Sequence, residues 1–192
     1  MKKTLLALAL IGGLTTTASA LSFQWIATGV SFNDAVLKKS SDVTAYLVYL
    51  GSGDSTYATS YTLNDSTTAE SLAASMGTQV NKSTSATTNA GKLSTTFTFD
   101  YGQYTNGDVF GMLLTYKSGD DTYYNIASST YTLSGITGDN SSPEAATFSF
   151  SYSGPTESSS IKSGSGWTAV PEPSTAALAL AGLALLIKRR RA

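Results

Sequence analysis

Aromatic and hydroxyl-bearing residues alternate along much of this chain, and that period of two constrains the fold more than any other feature. Phe97, Phe99 and Tyr101 fall on one side of a run that places Thr96 and Thr98 on the other. Phe148, Phe150 and Tyr152 alternate with Ser149 and Ser151, and Phe110, Met112, Leu114 and Tyr116 repeat the spacing. Successive side chains of a strand point to opposite faces, so each run sets an apolar face against a core and a polar face toward water. Many short strands of this kind predict a mainly β fold, an antiparallel β-sandwich. Phe23–Ala27 is the expected first strand, and Asp42–Leu50, apolar on both faces, is expected to be central.

One segment departs from the β pattern. Thr67-Thr68-Ala69-Glu70 has the T-x-x-E spacing of a capping box. Leu72, Met76 and Val80 follow at helical spacing beside Ala69 and Ala73, which predicts one short helix over about 68–76 with Gly77 near its end. The rival reading is a polar loop. The stretch 82–91 is poor in apolar residues and reads as a loop. Tyr46–Tyr57 resembles Met112–Tyr123, each with Ser-Gly-Asp at its centre, and Ala58–Leu63 resembles Ser128–Leu133. Two related hairpins, one per sheet, would explain this; so would the general likeness of Ser-, Thr- and Tyr-rich hairpins. The β domain is expected over 21–153. Residues 154–170 are rich in Ser and Gly and read as a flexible linker. Trp167 is the odd residue in it, either packed on the domain edge as part of a last short strand, the favoured reading, or set at a membrane interface.

The two ends read as targeting segments. Lys2 and Lys3 precede an apolar run, Leu5–Leu14, and the small residues Ala18-Ser19-Ala20. That order is a secretory signal peptide over 1–20, cleaved after Ala20, and it implies the secretion translocon and signal peptidase as partners. At the other end Pro171, Glu172 and Pro173 precede Ser174, a possible N-cap, and the apolar run Ala176–Ile187. Lys188, Arg189, Arg190 and Arg191 close it as a stop-transfer block that favours the cytoplasmic side. The apolar helix is shorter than the ~20 residues of a comfortable membrane span. The order of triplet, apolar helix and basic block over 171–192 resembles the PEP-CTERM sorting signal of bacterial exported proteins. That resemblance implies recognition by an exosortase, a membrane-embedded transpeptidase-like enzyme, with processing near Pro171-Glu172-Pro173. It further implies a place in the cell envelope, at the surface or in an extracellular polysaccharide matrix.

Charge and missing residue types narrow the chemistry. The whole chain carries a net −1, but residues 21–170 hold six Lys, no Arg and twelve acidic residues, a net −6. An acidic domain without Arg is poorly suited to nucleic acid or phosphate. There is no Cys, so the domain must fold without disulfides, and no His, which removes the common triads and His-ligated zinc. Asp120 and Asp121, with Asp54 in the matching turn, have the residue types of a calcium loop but no known loop spacing, and turn chemistry explains them better. Their carboxylates fall in no glycosidase motif. Tyr46, Tyr49, Tyr57, Tyr61, Tyr123, Tyr124 and Tyr131 could stack on sugars if exposed, or fill a core if buried. Asn64, Asn81 and Asn140 head N-x-S sequons of little weight in a bacterial-looking chain. No catalytic, metal or cofactor site is expected. The expected function is that of an exported surface or matrix protein acting by binding or scaffolding, with a small carbohydrate-binding module as the alternative.

Overall fold

The computed structural model describes residues 19–28, 30–32, 35–36, 43–84, 92–151 and 153–171. In chain order these form β1 (Ala20–Thr28), β2 (Ser31–Phe32), β3 (Ala35–Val36), β4 (Val43–Ser52), β5 (Tyr61–Thr62), α1 (Ala69–Met76), β6 (Thr78–Ser83), β7 (Leu93–Asp100), β8 (Asp108–Ser118), β9 (Asp121–Ile126), β10 (Tyr131–Thr132), β11 (Ala146–Ser149), β12 (Thr156–Glu157), β13 (Ser160–Ile161) and β14 (Thr168–Ala169). The fold is mainly β with one short helix. The expected signal-peptide residues up to 18, and the apolar helix and basic block of the sorting signal, lie outside the described residues. No helix among the described residues is long and apolar enough to cross a membrane.

A three-stranded sheet runs β11-β1-β7, and a larger sheet runs β12-β14-β9-β8-β4-β6 with β10 also on β8. Strand directions are mixed: β1 is parallel to β11, and β12 is parallel to β14. The purely antiparallel arrangement expected from alternation is therefore corrected. A period of two says which face a side chain takes, not which way the neighbouring strand runs.

The main core lies between these two sheets. Leu21, Phe23, Trp25 and Ala27 of β1 are all buried, and they meet Phe97, Phe99 and Phe148 of the same sheet and Leu47, Phe110, Met112 and Leu114 of the larger one. Phe23 stands directly opposite Phe97 across β1 and β7, with ring centroids 5.6 Å apart. Its ring also meets Phe110 of the facing sheet edge-on at 5.5 Å, which ties the layers together. Edge contacts of this kind add about 0.5–1.5 kcal/mol each to simple burial.

A second layer covers the other face of the larger sheet. Leu72, Ala73 and Met76 of α1, Tyr61 and Leu63 around β5, and Ile161 of β13 pack on Tyr46, Val48, Leu113, Tyr124 and Ile126. β4 is thus buried on both sides, as its composition suggested. β8 corrects the expectation of one wet face: Val109, Leu113 and Thr115 are buried as well as Phe110, Met112 and Leu114. It lies between β4 and the β9–β10 side of the sheet, with cover above and below.

The helix sits where its periodicity placed it, but its cap is one residue further on. Thr68 is the N-cap: its hydroxyl accepts from the Ser71 amide at 3.1 Å, and the Ser71 hydroxyl accepts from the Thr68 amide at 2.9 Å. The Thr67 hydroxyl instead accepts from the Asn64 amide. Val80, expected in helical register, belongs to β6, and so do Lys82 and Ser83 at the start of the expected 82–91 loop.

The internal similarity is local and does not extend to pairing. Gly53 and Gly119 both adopt positive φ, 70° and 64°, the left-handed conformation that favours glycine in each Ser-Gly-Asp turn. Only the second copy closes as a hairpin, β8 to β9 through Gly119-Asp120. After β4 the chain leaves the sheet, and β5 pairs with β13. Both copies lie in one sheet as neighbours β4 and β8 rather than one in each sheet. Corresponding positions face opposite layers: Tyr46, Val48 and Leu63 pack under α1, whereas Met112, Leu114 and Leu133 face β1 and β7.

Residues 154–170, expected as a linker, are part of the fold. β12, β13 and β14 all fall within them, and β14 pairs with β9 at Thr168–Tyr124 and Ala169–Tyr123. Trp167 is 1% exposed in the main core, beside Tyr116 at a ring distance of 6.2 Å. It packs in the core, as the favoured reading had it, but stands one residue ahead of the last short strand rather than within it. Ser and Gly here serve tight crossings rather than flexibility: a side chain at Gly154 would strike the Trp167 carbonyl oxygen. The folded unit therefore runs to about Pro171 rather than stopping at 153.

Candidate functional site

The helix-side face of the larger sheet is only partly covered. α1 rests on Val48 and Leu113, and beyond its N-terminal end the same face opens as a groove of about 520 Å³. Three strands build the floor with one repeated spacing: Thr44 and Tyr46 on β4, Thr115 and Lys117 on β8, Thr122 and Tyr124 on β9. Residues two apart on a strand share a face, so each pair points into the groove. Register completes the alignment: Thr44, Thr115 and Tyr124 stand on one rung, and Lys117 and Thr122 on the next. Lys82 of β6 lies opposite Tyr46, and Thr67 to Glu70 form the wall.

The groove's charges are organised around Glu70. Lys82 Nζ lies 2.9 Å from Glu70 Oε1, the Tyr46 hydroxyl donates to the same oxygen at 3.1 Å, and the Lys82 ammonium stands 5.1 Å from the centre of the Tyr46 ring. The bond from Lys82 holds the Glu70 carboxyl below its usual range, and Glu70 in turn holds the Lys82 ammonium above its own. Burial raises the phenols of Tyr46 and Tyr124. The Tyr124 hydroxyl donates to the Thr67 carbonyl at 2.9 Å and so fastens the β9 floor to the wall. Lys117 faces the groove without an ion pair among the described residues. A carboxylate locked in its ionised form is a poor proton donor near neutral pH. What this surface offers a ligand is a row of hydroxyls and one uncommitted cation.

A smaller hollow of about 220 Å³ lies next to the groove, at the foot of β14. Asn64, Asp65, Asp120 and Asp121 line it together with Ala169, Val170 and Pro171. Pro171, the first residue of the expected sorting triplet, thus sits half-buried against the domain. Glu172, Pro173, Lys188, Arg189, Arg190, Arg191 and Ala18 lie outside the described residues. Ala20 opens β1, exposed, and Leu21 beyond it is the first core residue of the strand. Asp120 and Asp121 occupy the β8–β9 turn, and Asp54 the bend after β4; Asp54 does not join them at the hollow. Among the described residues no three acidic side chains converge as a metal site would require.

The tyrosines are mostly engaged within the fold. Tyr57 accepts from the Met112 amide at 3.0 Å and donates to the Ser129 carbonyl at 3.1 Å. Tyr49 donates to Asp108, Tyr131 to the Glu144 carbonyl, and Tyr61 accepts from the Ala58 amide. Among the described residues the large apolar side chain exposed to solvent is Tyr101, at 48%. Among the described residues no row of exposed aromatics forms a platform for sugar rings. Asn64 uses its side-chain oxygen to close a local turn on Ser66.

Sequence reasoning missed the groove. The signal for it is the recurring Thr-x-Tyr or Thr-x-Lys spacing at 44–46, 115–117 and 122–124, where polar residues interrupt strand faces that are otherwise apolar.

The fold and its last strand define a β-rich domain that delivers its chain directly into a C-terminal signal. The family model of the PEP-CTERM protein-sorting motif matches residues 169–192, and so covers the triplet, the apolar run and the basic block. This chain carries that motif, which marks an exported protein sorted at the membrane by an exosortase. No curated protein and no solved structure matches the chain.

Proposed function

We propose that this is a non-enzymatic protein of the bacterial surface or extracellular matrix, delivered by the exosortase pathway, whose β domain acts outside the cytoplasm by binding or scaffolding. The sorting motif over 169–192 is the observation that carries this reading. Two features support a contact role. With neither His nor Cys in the chain, few routes to catalysis remain, and the carboxylate in the groove beside α1 is engaged by Lys82 and Tyr46. Of the tyrosines that could have made a sugar-stacking face, Tyr46, Tyr61 and Tyr124 are buried and Tyr49, Tyr57, Tyr123 and Tyr131 are partly buried against the core. A carbohydrate-binding module remains the second reading, favoured by one observation: the hydroxyls of Thr44, Thr115 and Thr122 are arrayed beside Lys117 on a rigid sheet.

Titration of the exported protein with neutral and acidic oligosaccharides separates the two. Scaffolding predicts no saturable binding. A module predicts saturable binding that Lys117→Ala weakens for acidic sugars. Hydrolytic turnover of any of these sugars by the purified protein would contradict the non-enzymatic reading.

A further inference from the structure

The sorting motif and the fold overlap. The motif match begins at Ala169, which is the second residue of β14 and is held in the middle of a sheet. On one side Thr168 and Ala169 pair with Tyr124 and Tyr123 of β9; on the other they pair with Thr156 and Glu157 of β12. Thr168 is 2% exposed and Ala169 8%. Val170 packs against the helix-side core, and Pro171 lines the hollow beside Asp65 and Asp121. Only six residues separate Ala169 from the apolar run that starts at Ala176, a reach of at most about 25 Å for a fully extended chain. No spacer holds the triplet away from the domain.

One general way to take a peptide segment is in extended form, by adding it as a strand to the edge of the partner's sheet. Residues just before the triplet are already committed to such pairing inside this domain. Both uses cannot hold at once. We infer that Thr168 to Pro171 come away from the domain, Thr168 and Ala169 leaving the sheet, when the sorting enzyme takes the chain, that the enzyme binds this segment as an extended strand, and that Trp167 is the point at which the fold holds. This inference rests on the sorting reading given above.

The local structure suits such a release. β14 makes two rungs with each neighbour, and among the described residues β12 pairs with β14 alone. The side chains withdrawn are small, Thr168, Ala169 and Val170, so little apolar surface is exposed. One residue earlier the situation reverses. Trp167 is buried in the main core, its amide donates to the Ser153 carbonyl at 2.8 Å, and its carbonyl accepts from Thr156 at 3.0 Å. Short, sparsely bonded segments at the end of a fold open at far lower free energy than its core. Releasing four residues adds up to about 14 Å of reach while the two sheets stay packed.

The absence of native cysteine makes a clean test possible. Ala169 and Tyr123 are direct cross-strand partners, at a separation a disulfide can bridge. The full-length chain with Ala169→Cys and Tyr123→Cys is expressed in a host that has the sorting pathway, and loss of the tail is followed by intact mass. Oxidised, this variant should process its tail at least tenfold more slowly than wild type, and reduction of the same sample should restore the rate. With a ten-residue Gly-Ser spacer inserted after Val170, the oxidised variant should process normally. Processing of the oxidised, spacer-free variant at the wild-type rate overturns the inference. Should the crosslink fail to form, amide exchange provides the second measurement. Thr168 to Val170 must exchange faster than Tyr124 to Ile126, and equal protection overturns the inference as well. Wild-type protein that never loses its tail would instead refute the sorting reading on which the inference stands.

Discussion

Tyr57 shows how far a single residue reaches in this fold. The chain leaves β4 at Ser52 and returns over the sheet, and the Tyr57 ring crosses the middle of β8. Gly111 is there because of it: a Cβ at that position would lie 2.6 Å from Tyr57 Cε1. Gly111→Ala should therefore lower the denaturation midpoint by the amount typical of overpacking, about 1–3 kcal/mol, and Tyr57→Leu should relieve part of that cost in the double variant. Burial also holds the Tyr57 phenol far above its ordinary value of 10.0, and the phenols of Tyr61, Tyr104, Tyr124 and Tyr131 are raised by the same cause. Raised acids of this kind stay neutral in the fold and ionise more readily once it opens. Their contribution to stability is whole below pH ~10 and is lost as pH climbs toward their folded values. Urea midpoints should be level up to about pH 9 and fall steeply by about pH 11; an unchanged midpoint would mean that these hydroxyls are not buried. None of this was legible in the sequence, where Tyr57 and Gly111 are ordinary members of β-rich stretches. Their relation is set by a loop that folds back across 55 positions of sequence, and no periodicity encodes that.

At the scale of elements, the legible features were those carried by local pattern. Alternation identified β1, β7, β8 and β11, and the core positions Phe97, Phe99, Met112, Leu114, Phe148 and Phe150. Phe99→Ala and Phe150→Ala should each cost about 3–5 kcal/mol, read from the denaturation midpoint. The helix was legible too, yet its cap slipped by one residue because two threonines stood side by side and the capping-box partner proved to be Ser71 rather than Glu70. Thr68→Ala should remove about 1 kcal/mol, while Thr67→Ala should remove less. Composition misled in 154–170. Ser and Gly are common to linkers and to tight crossings, and only the buried neighbours distinguish them. Trp167 was the one clue. Trp167→Ala should destabilise the domain by about 3–5 kcal/mol, whereas a tryptophan in a free linker would cost nothing measurable.

For the whole molecule, the account joins a three-layer β domain to an address. The Thr-x-Tyr and Thr-x-Lys spacings mark single strands, and the groove beside α1 exists only where β4, β6, β8 and β9 come into register and the helix stops short of covering them. The address could be read, because triplet, apolar run and basic block are contiguous, and the motif match over 169–192 agrees with that reading. What the sequence did not reveal is how close the two lie: the motif starts inside the last strand. Replacing Pro171, Glu172 and Pro173 with Ala should leave the tail attached and reduce the protein recovered at the surface or in the medium, without shifting the denaturation midpoint of the domain. The most direct measurement of the central claim is the intact mass of the wild-type protein recovered from a host with the sorting pathway. The account predicts a chain that begins at Leu21 and has lost Lys188, Arg189, Arg190 and Arg191 together with the apolar run. A recovered chain that still carries those four basic residues would contradict it.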